Sequence, residues 1–400
     1  PVNKISSQIV KVIFELSLNP KLYFMKITLL NRINEVEANQ WNALIEDNNP
    51  FSRHEFLTAL ENHHCVGEQF GWIPRHIVIF DENILVGAMI LYEKYNNYGE
   101  FVFDHAWHHA YQSYQLNYYP KLVSAIPYTP ATGNRLLAKN QQQEIYVLLL
   151  ETLFEICEKN DLSSFHCLFP LKNEFELLQQ QGLFTRQDCQ FHWHNQNYSC
   201  FDDFLDQLRS KKRKNIRQER KKVNHSGVTL RQLNGHTASA SDWQIFNHFY
   251  QRTFLEKSGM ATLNLGFFME IAQTMPDQIL LVLAEINGET IAGSLMFKSD
   301  SRLYGRHWGC IEHMDYLHFE TCYYQGIDYC IKHHLQVFEP GAQGEHKVAR
   351  GFSPVLTQSN HYIKDDRFKA PIQHFCNEEV KHIELYMKHI NQHNPYRQKT

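Results

Sequence analysis

A pattern written twice constrains this chain more than any bulk property. Residues 76–104, HIVIFDENILVGAMILYEKYNNYGEFVFD, alternate apolar and polar positions and break at Asp81-Glu82-Asn83 and Asn96-Asn97, which predicts strand, turn, strand, turn, strand. Residues 279–308, ILLVLAEINGETIAGSLMFKSDSRLYGRHW, predict the same sequence of elements. Val86-Gly87-Ala88-Met89 and Ala292-Gly293-Ser294-Leu295 hold equivalent places, and the two glycines stand 206 positions apart in a chain of 400. Repetition at half the chain length predicts two similar domains rather than one large core.

Each meander is followed by a helical stretch and a short apolar run. These are Glu144 to Lys159 then 164–169 in the first half, and Phe319 to His333 then 335–339 in the second. Antiparallel strands followed by a helix that crosses to another strand predict an α/β (α+β) layer, a mixed and largely antiparallel sheet flanked by helices. Residues 242–258 and 264–274 predict helices, 353–363 a strand, and Asp366 to about Asn391 a closing helix. The expected organisation is an N-terminal extension over 1–25, a first domain over 26–197 and a second over 198–400. Residues 1–24 show no apolar core of a signal peptide, and Met25-Lys26-Ile27-Thr28 is expected to be the natural beginning.

Charge decides which partners to expect. Lys plus Arg number 39 against 43 Asp plus Glu, a net charge of -4, so no DNA partner is expected, although a local basic patch is compatible with that total. No apolar run approaches the roughly 18–20 residues that span a bilayer. Nine cysteines, scattered without a C-x-x-C pair, predict reduced thiols in a cytoplasm and no metal site.

The positive charge is concentrated between the halves. Phe201, Phe204, Leu205, Leu208, Ile216 and Val223 fall on one helical stripe over 199–225, with Ser199 and Asp202 as a capping pair. On the other face, residues 209–222 carry nine basic side chains and one acidic one. Such a face is expected to meet phosphates, with Lys211, Arg213, Lys214 and Arg217 as the holding groups.

A second segment is built for chemistry. Residues 338–352 follow an apolar strand and set Gly341, Gly344 and Gly351 around Glu345, His346, Lys347 and Arg350. Glycines allow close backbone approach, and the ionisable groups can supply a base, an anion clamp and an oxyanion partner. Arg306 at the end of the second meander, Glu320, and Tyr323 at the start of the next helix could line the same cleft. P-loop, dinucleotide-binding, nucleophile-elbow and zincin motifs are all missing, which removes the common NTPase, dehydrogenase, serine-hydrolase and zincin readings.

Several stretches together resemble the signatures of the FemAB-like N-acyltransferases, a family labelled peptidoglycan biosynthesis/recognition. They are Asn49-Pro50-Phe51 with His54-Glu55-Phe56-Leu57, Tyr118-Tyr119-Pro120-Lys121-Leu122, residues 211–220, Leu317-His318-Phe319-Glu320 with Cys322-Tyr323-Tyr324-Gln325, and residues 339–347 with Arg350-Gly351. The resemblance covers residues 26 to 397 and implies tandem GNAT-type acyltransferase folds. Fem transferases similar to these move an amino acid from aminoacyl-tRNA to the peptide stem of a cell-wall precursor. Their basic helix followed by Gly-Val is matched by Arg213-Lys214-Asn215-Ile216-Arg217 with Gly227-Val228. The sequence departs from ordinary GNAT enzymes in having no clear acetyl-CoA pyrophosphate turn, and from some Fem enzymes in lacking a long coiled-coil arm.

The expected activity is transfer of an acyl or aminoacyl group onto an amine, including that of a peptidoglycan precursor. Glu345 or His346 is the expected base and Glu320 the reserve; a backbone N–H of the second meander would meet the oxyanion, helped by Arg306 or Lys347. Lys211, Arg213, Lys214, Arg217, Arg306, Tyr323, Lys347 and Arg350 are the expected substrate-binding residues. The donor would be acyl-CoA or aminoacyl-tRNA, and the phosphate-bearing partner a nucleotide-sugar, a lipid-linked precursor, tRNA or CoA. The competing readings are a non-catalytic muropeptide or nucleotide-sugar binding protein, and a CoA-dependent acyltransferase acting on a small-molecule or protein amine. All of them place the basic helix and the 338–352 segment on one groove.

Overall fold

The computed structural model describes residues 25–342 and 344–397. The extension expected over 1–25 lies, apart from Met25, outside the described residues. The chain forms two compact units: one runs to Gln187 and adds Thr357–Lys381, the other takes Asp188–Leu356 and resumes at His382. The first unit thus includes a late segment that the sequence assigns to the second half.

In the first unit, β1 (Met25–Leu30), α1 (Ala38–Asn42), α2 (His54–Asn62), β2 (Trp72–Pro74), β3 (His76–Asp81), β4 (Ile84–Met89), β5 (Tyr92–Lys94), α3 (His105–Ser113), β6 (Lys121–Ser124), β7 (Leu136–Ala138), α4 (Gln143–Lys159), β8 (Ser164–Leu168) and α5 (Lys172–Gln180) follow in order. β1, β3, β4 and β7 form one antiparallel sheet. β2 and β5 pair antiparallel, β5 with β6 likewise, and β6 runs parallel to β8. Helix α4 buries Ile145, Leu148, Leu149, Leu153 and Ile156, the three-and-four spacing of one helical face, against this core. The third strand expected over 98–104 does not form. Gly99 and Phe101 adopt positive φ, of 83° and 61°, which ends extended backbone, and β7 fills the vacant edge of β4 instead.

The chain continues through β9 (Phe184–His194), α6 (Phe201–Asp206), α7 (Ser210–His225), β10 (Thr229–Leu233), α8 (Ala240–Glu256), α9 (Leu265–Thr274), β11 (Ile279–Ile286), β12 (Glu289–Lys298) and β13 (Arg302–Cys310). A helix then begins as α10 (Leu317–Phe319), widens through a π-helical turn over Glu320–Tyr324 and ends as α11 (Gln325–Lys332). β14 (Val337–Glu339), β15 (Ser353–Ile363) and α12 (Asp366–Gln392) close the chain. In the second unit β10, β11, β12 and β13 are antiparallel neighbours, so the second meander forms as its periodicity predicts. β13 then pairs parallel with β14, which pairs antiparallel with β9.

The basic helix expected over 199–225 is two helices. Around the break, Leu208 bridges to Tyr396 and the Arg209 N–H donates to Pro395 O at 2.9 Å, spending backbone groups that a continuous helix would need. The cap also shifts by one residue: Asp203, not Asp202, accepts from the Ser199 N–H at 3.0 Å. No helix among the described residues is long and apolar enough to cross a membrane.

Candidate active site on the second unit

The turn after β14 depends on two glycines. Gly344 has φ of +114° and Gly351 of +94°, and between them Glu345–Arg350 wind into a single 3₁₀ segment. A Cβ on Gly344 would lie 2.4 Å from His346 Cε1, so the imidazole rests on the backbone of its own turn. His346 Nε2 shares a hydrogen bond with the Tyr323 hydroxyl at 2.9 Å. Desolvation, then the Arg350 and Lys347 charges, hold the imidazole below its usual pKa, so it is neutral at pH 7. Lys347 is 2% exposed, and its ammonium donates to Gly341 O at 2.6 Å. Burial lowers its pKa to about 8, leaving a cation that is easily neutralised.

Arg350 ties the turn to the rest of the unit. Its guanidinium donates to His346 O at 2.8 Å and to Glu219 Oε1 at 2.9 Å, and lies 3.4 Å over the centroid of the Phe319 ring. Glu219 also accepts from the Tyr324 hydroxyl. Beside it on α7, Arg220 grips Glu320 through two N–H groups at 3.0 and 3.2 Å and reaches Asp328 at 2.7 Å. Glu320 is 1% exposed and accepts a further bond from Gln325 at 2.9 Å. The π turn serves both sides. Glu320 and Tyr324 meet α7, and Tyr323 meets the turn.

β13 supplies the remaining wall. It pairs with β14 only from Arg302↔Val337 to Tyr304↔Glu339, then runs on to Cys310 with β12 as its partner among the described strands. The register against β12 shifts so that Leu295 faces His307 and Met296 faces Gly305, leaving Arg306 as the bulged residue. Gly305 abuts the start of the turn, since a Cβ there would lie 3.1 Å from Pro340 Cα. Desolvation lowers the Arg306 pKa to about 10. Hence a strand whose edge opens after Tyr304 stands beside a turn bearing a neutral imidazole and a buried ammonium.

The structure brings Glu320, Tyr323, His346, Lys347 and Arg350 into one connected set, with Arg306 on the adjoining strand. Glu345 turns elsewhere: it is exposed and accepts from the Tyr386 hydroxyl at 2.8 Å. Glu320, the expected reserve base, is an ion-pair partner sealed behind Arg220. On α7 the expected phosphate-holding residues divide. Lys211, Lys214 and Arg217 are exposed, while Arg213 and Arg217 pair with Asp206 and Asp202 at 3.3 and 2.8 Å. Such exposed pairs contribute little to stability. What joins α7 to the turn is Glu219, through Arg350, and what joins it to the π-helical segment is Arg220, neither of which the sequence reading named as a site residue. Their signal was legible: they sit three and four residues after the buried Ile216, and Glu219 is the lone acid among nine bases.

Comparison with solved structures finds the same fold at low identity. FemX shares 12% identity and a TM-score of 0.54, over 84% of this chain and 98% of that one. The C-terminal domain of a putative lysylphosphatidylglycerol synthetase from Agrobacterium fabrum gives 6% identity and a TM-score of 0.52, over 86% and 95%. A conserved protein of unknown function from Bacteroides thetaiotaomicron gives 9% and 0.51, over 84% and 98%. No protein with a curated function matches the sequence. The FemAB-like family, described as peptidoglycan biosynthesis/recognition, matches residues 32–398, and the chain belongs to that family.

Proposed function

We propose that the second unit transfers an acyl or aminoacyl group onto an amine, with the amine of a peptidoglycan precursor as the favoured acceptor. The carrying observation is the His346–Tyr323 pair beside Lys347 on a turn that adjoins the splayed end of β13. An amine attacks a carbonyl only when neutral. His346, unprotonated at pH 7, takes its proton as the new C–N bond forms. The oxyanion is met by a backbone N–H of β13, with the Lys347 ammonium and the Arg306 guanidinium supplying positive charge. When the intermediate collapses, the carbonyl re-forms, the C–O bond of an ester donor or the C–S bond of a thioester donor breaks, and the proton held by His346 passes to the leaving group.

The donor in this reading is aminoacyl-tRNA or acyl-CoA. Lys211, Lys214 and Arg217, with Arg213 beside them, offer exposed cations along α7 to its phosphates. Membership of the FemAB-like family and the fold shared with FemX and a putative lysylphosphatidylglycerol synthetase domain support this reading. Mass-spectrometric detection of product from aminoacyl-tRNA or acyl-CoA and an amine-bearing muropeptide tests it, with His346→Ala and Glu345→Gln compared. Loss of turnover in the first and its retention in the second are expected. Turnover undiminished in His346→Ala would overturn the assignment, and saturable binding with no transfer from either donor would favour a non-catalytic binding protein.

A further inference from the structure

The Tyr118-Tyr119-Pro120-Lys121 stretch has no part in the chemistry above, yet it carries an unusual investment. Lys121 is fully buried in the first unit and donates to Glu100 Oε2 at 2.9 Å and to Asp104. The Tyr118 hydroxyl donates to the same Asp104 carboxylate at 2.5 Å, and Ser163 Oγ donates to Tyr118 O at 2.5 Å. A buried ion triad of this kind adds less stability than apolar packing of the same volume, and its best-attested use is to fix one geometry. What it fixes here is the wall of a cavity. Tyr119 and Pro120 line a cavity of about 780 Å³, within the size range of small-molecule sites.

The rest of that wall defines a ligand class. Tyr95 and Tyr119 are both half-buried, and both contribute rings rather than available hydroxyls. The Tyr95 hydroxyl is committed to Glu93 Oε1 at 2.5 Å, and the Tyr119 hydroxyl is sealed from solvent. Around the rings stand the side-chain amides of Gln115, Asn117 and Asn160, the last anchored by its donation to Ile156 O at 2.8 Å. The cation in the wall is already paired. Lys364 lies 3.7 Å from Asp161 and equally from Glu158, and Asp365 is held by Arg367. Among the described residues of this wall, no uncompensated cation invites a phosphate.

Aromatic faces ringed by neutral amides suit a molecule with apolar C–H faces and a rim of hydroxyls. We propose that this cavity of the first unit is a saccharide-binding site, with Tyr95 and Tyr119 stacking on the sugar ring and Gln115, Asn117 and Asn160 reading its hydroxyl or acetamido groups. The proposal stands apart from the transfer chemistry, because direct binding tests it without turnover.

Saturation-transfer NMR and calorimetry on the full chain, with chitobiose, cellobiose, cadaverine and inorganic phosphate as probes, decide it. At least one disaccharide is expected to bind saturably, with cadaverine and phosphate silent. Tyr119→Ala should weaken that binding about tenfold and Asn160→Ala about fivefold. If Tyr119→Ala fails to fold, Asn117→Ala and Gln115→Ala, both at exposed positions, carry the comparison. Absence of saturable saccharide binding, binding of the amine or phosphate instead, or saccharide affinity unchanged in these variants would overturn the proposal. Transfer activity that survives such a result would leave the chemistry of the second unit untouched.

Discussion

The Arg220–Glu320 pair permits a quantitative test of what holds α7 to the candidate site. The Glu320 carboxylate is 1% exposed and receives two N–H bonds from Arg220, whose own side chain is 23% exposed. Replacing Arg220 with Met leaves a buried carboxylate with Gln325 as its remaining side-chain donor among the described residues, and breaking a buried pair by removing one partner costs about 3–5 kcal/mol. Because Arg220 retains some contact with water, and Asp328 loses a partner at the surface side, the lower end, about 3 kcal/mol, is the expected value. Replacing both residues, Arg220→Met with Glu320→Gln, removes charge and counter-charge together and should cost about 1 kcal/mol beyond lost packing, while Glu320→Gln alone, which leaves Arg220 its bond to Asp328, should also cost about 1 kcal/mol, so the coupling in the cycle should be about 3 kcal/mol. A chain of two units does not unfold in one step, so native-state hydrogen exchange of α7 and α11 amides is the appropriate readout. If the double variant opens as readily as the two single-variant costs added together require, the pair is not coupled. Glu320 would then be available for some role other than anchoring the helix.

Further expectations follow from the same geometry. The pH–rate profile should be bell-shaped: a base whose pKa is depressed below 6.5 gives an acid limb below that value, and loss of the Lys347 proton near pH 8 gives the basic limb. His346→Ala should lower kcat by about 10²–10⁴-fold. The depressed Lys347 pKa also has a stability consequence. Between about pH 8 and the model-peptide value of 10.5 the unfolded chain binds the extra proton, so folding stability rises with pH there, by up to about 1.4 kcal/mol per pH unit, and Lys347→Met should abolish that slope. Gly351→Ala places a Cβ 2.6 Å from the Phe204 ring at φ of +94° and should destabilise the second unit by about 1–3 kcal/mol, read as a fall in its thermal transition. Joint replacement of Lys211, Lys214 and Arg217 by Ala should raise KM for a phosphate-bearing donor and flatten its salt dependence while leaving kcat within about twofold. A change confined to kcat would contradict that assignment.

Local chemistry made much of the fold legible. The strand over 353–363 and the helix that follows each meander depend on periodicity within one element, and they lie where that periodicity puts them. The first meander fails at its third strand because the edge of β4 is filled by β7, which lies 47 residues beyond Met89, and no local pattern encodes that competition. At the site, the glycines around Glu345–Arg350 announced a turn, and the turn exists. Its partners did not announce themselves, because Glu219 and Arg220 are charged residues within a charged run and only their phase against Ile216 and Val223 marks them as inward-facing. Lys211 and Lys214 show the converse: density of charge along a sequence says nothing about which side of a helix carries it.

The widened turn at Glu320–Tyr324 has an implication for length. A π turn holds one residue more than the α geometry on either side of it. Deleting a single residue within it would let α10 and α11 fuse into an ordinary helix with little cost to hydrogen bonding, while swinging the phenol now beside the imidazole out of reach. Spacing at this point is therefore as much a determinant of the candidate chemistry as side-chain identity, and a sequence could lose the arrangement without losing any of the residues named here.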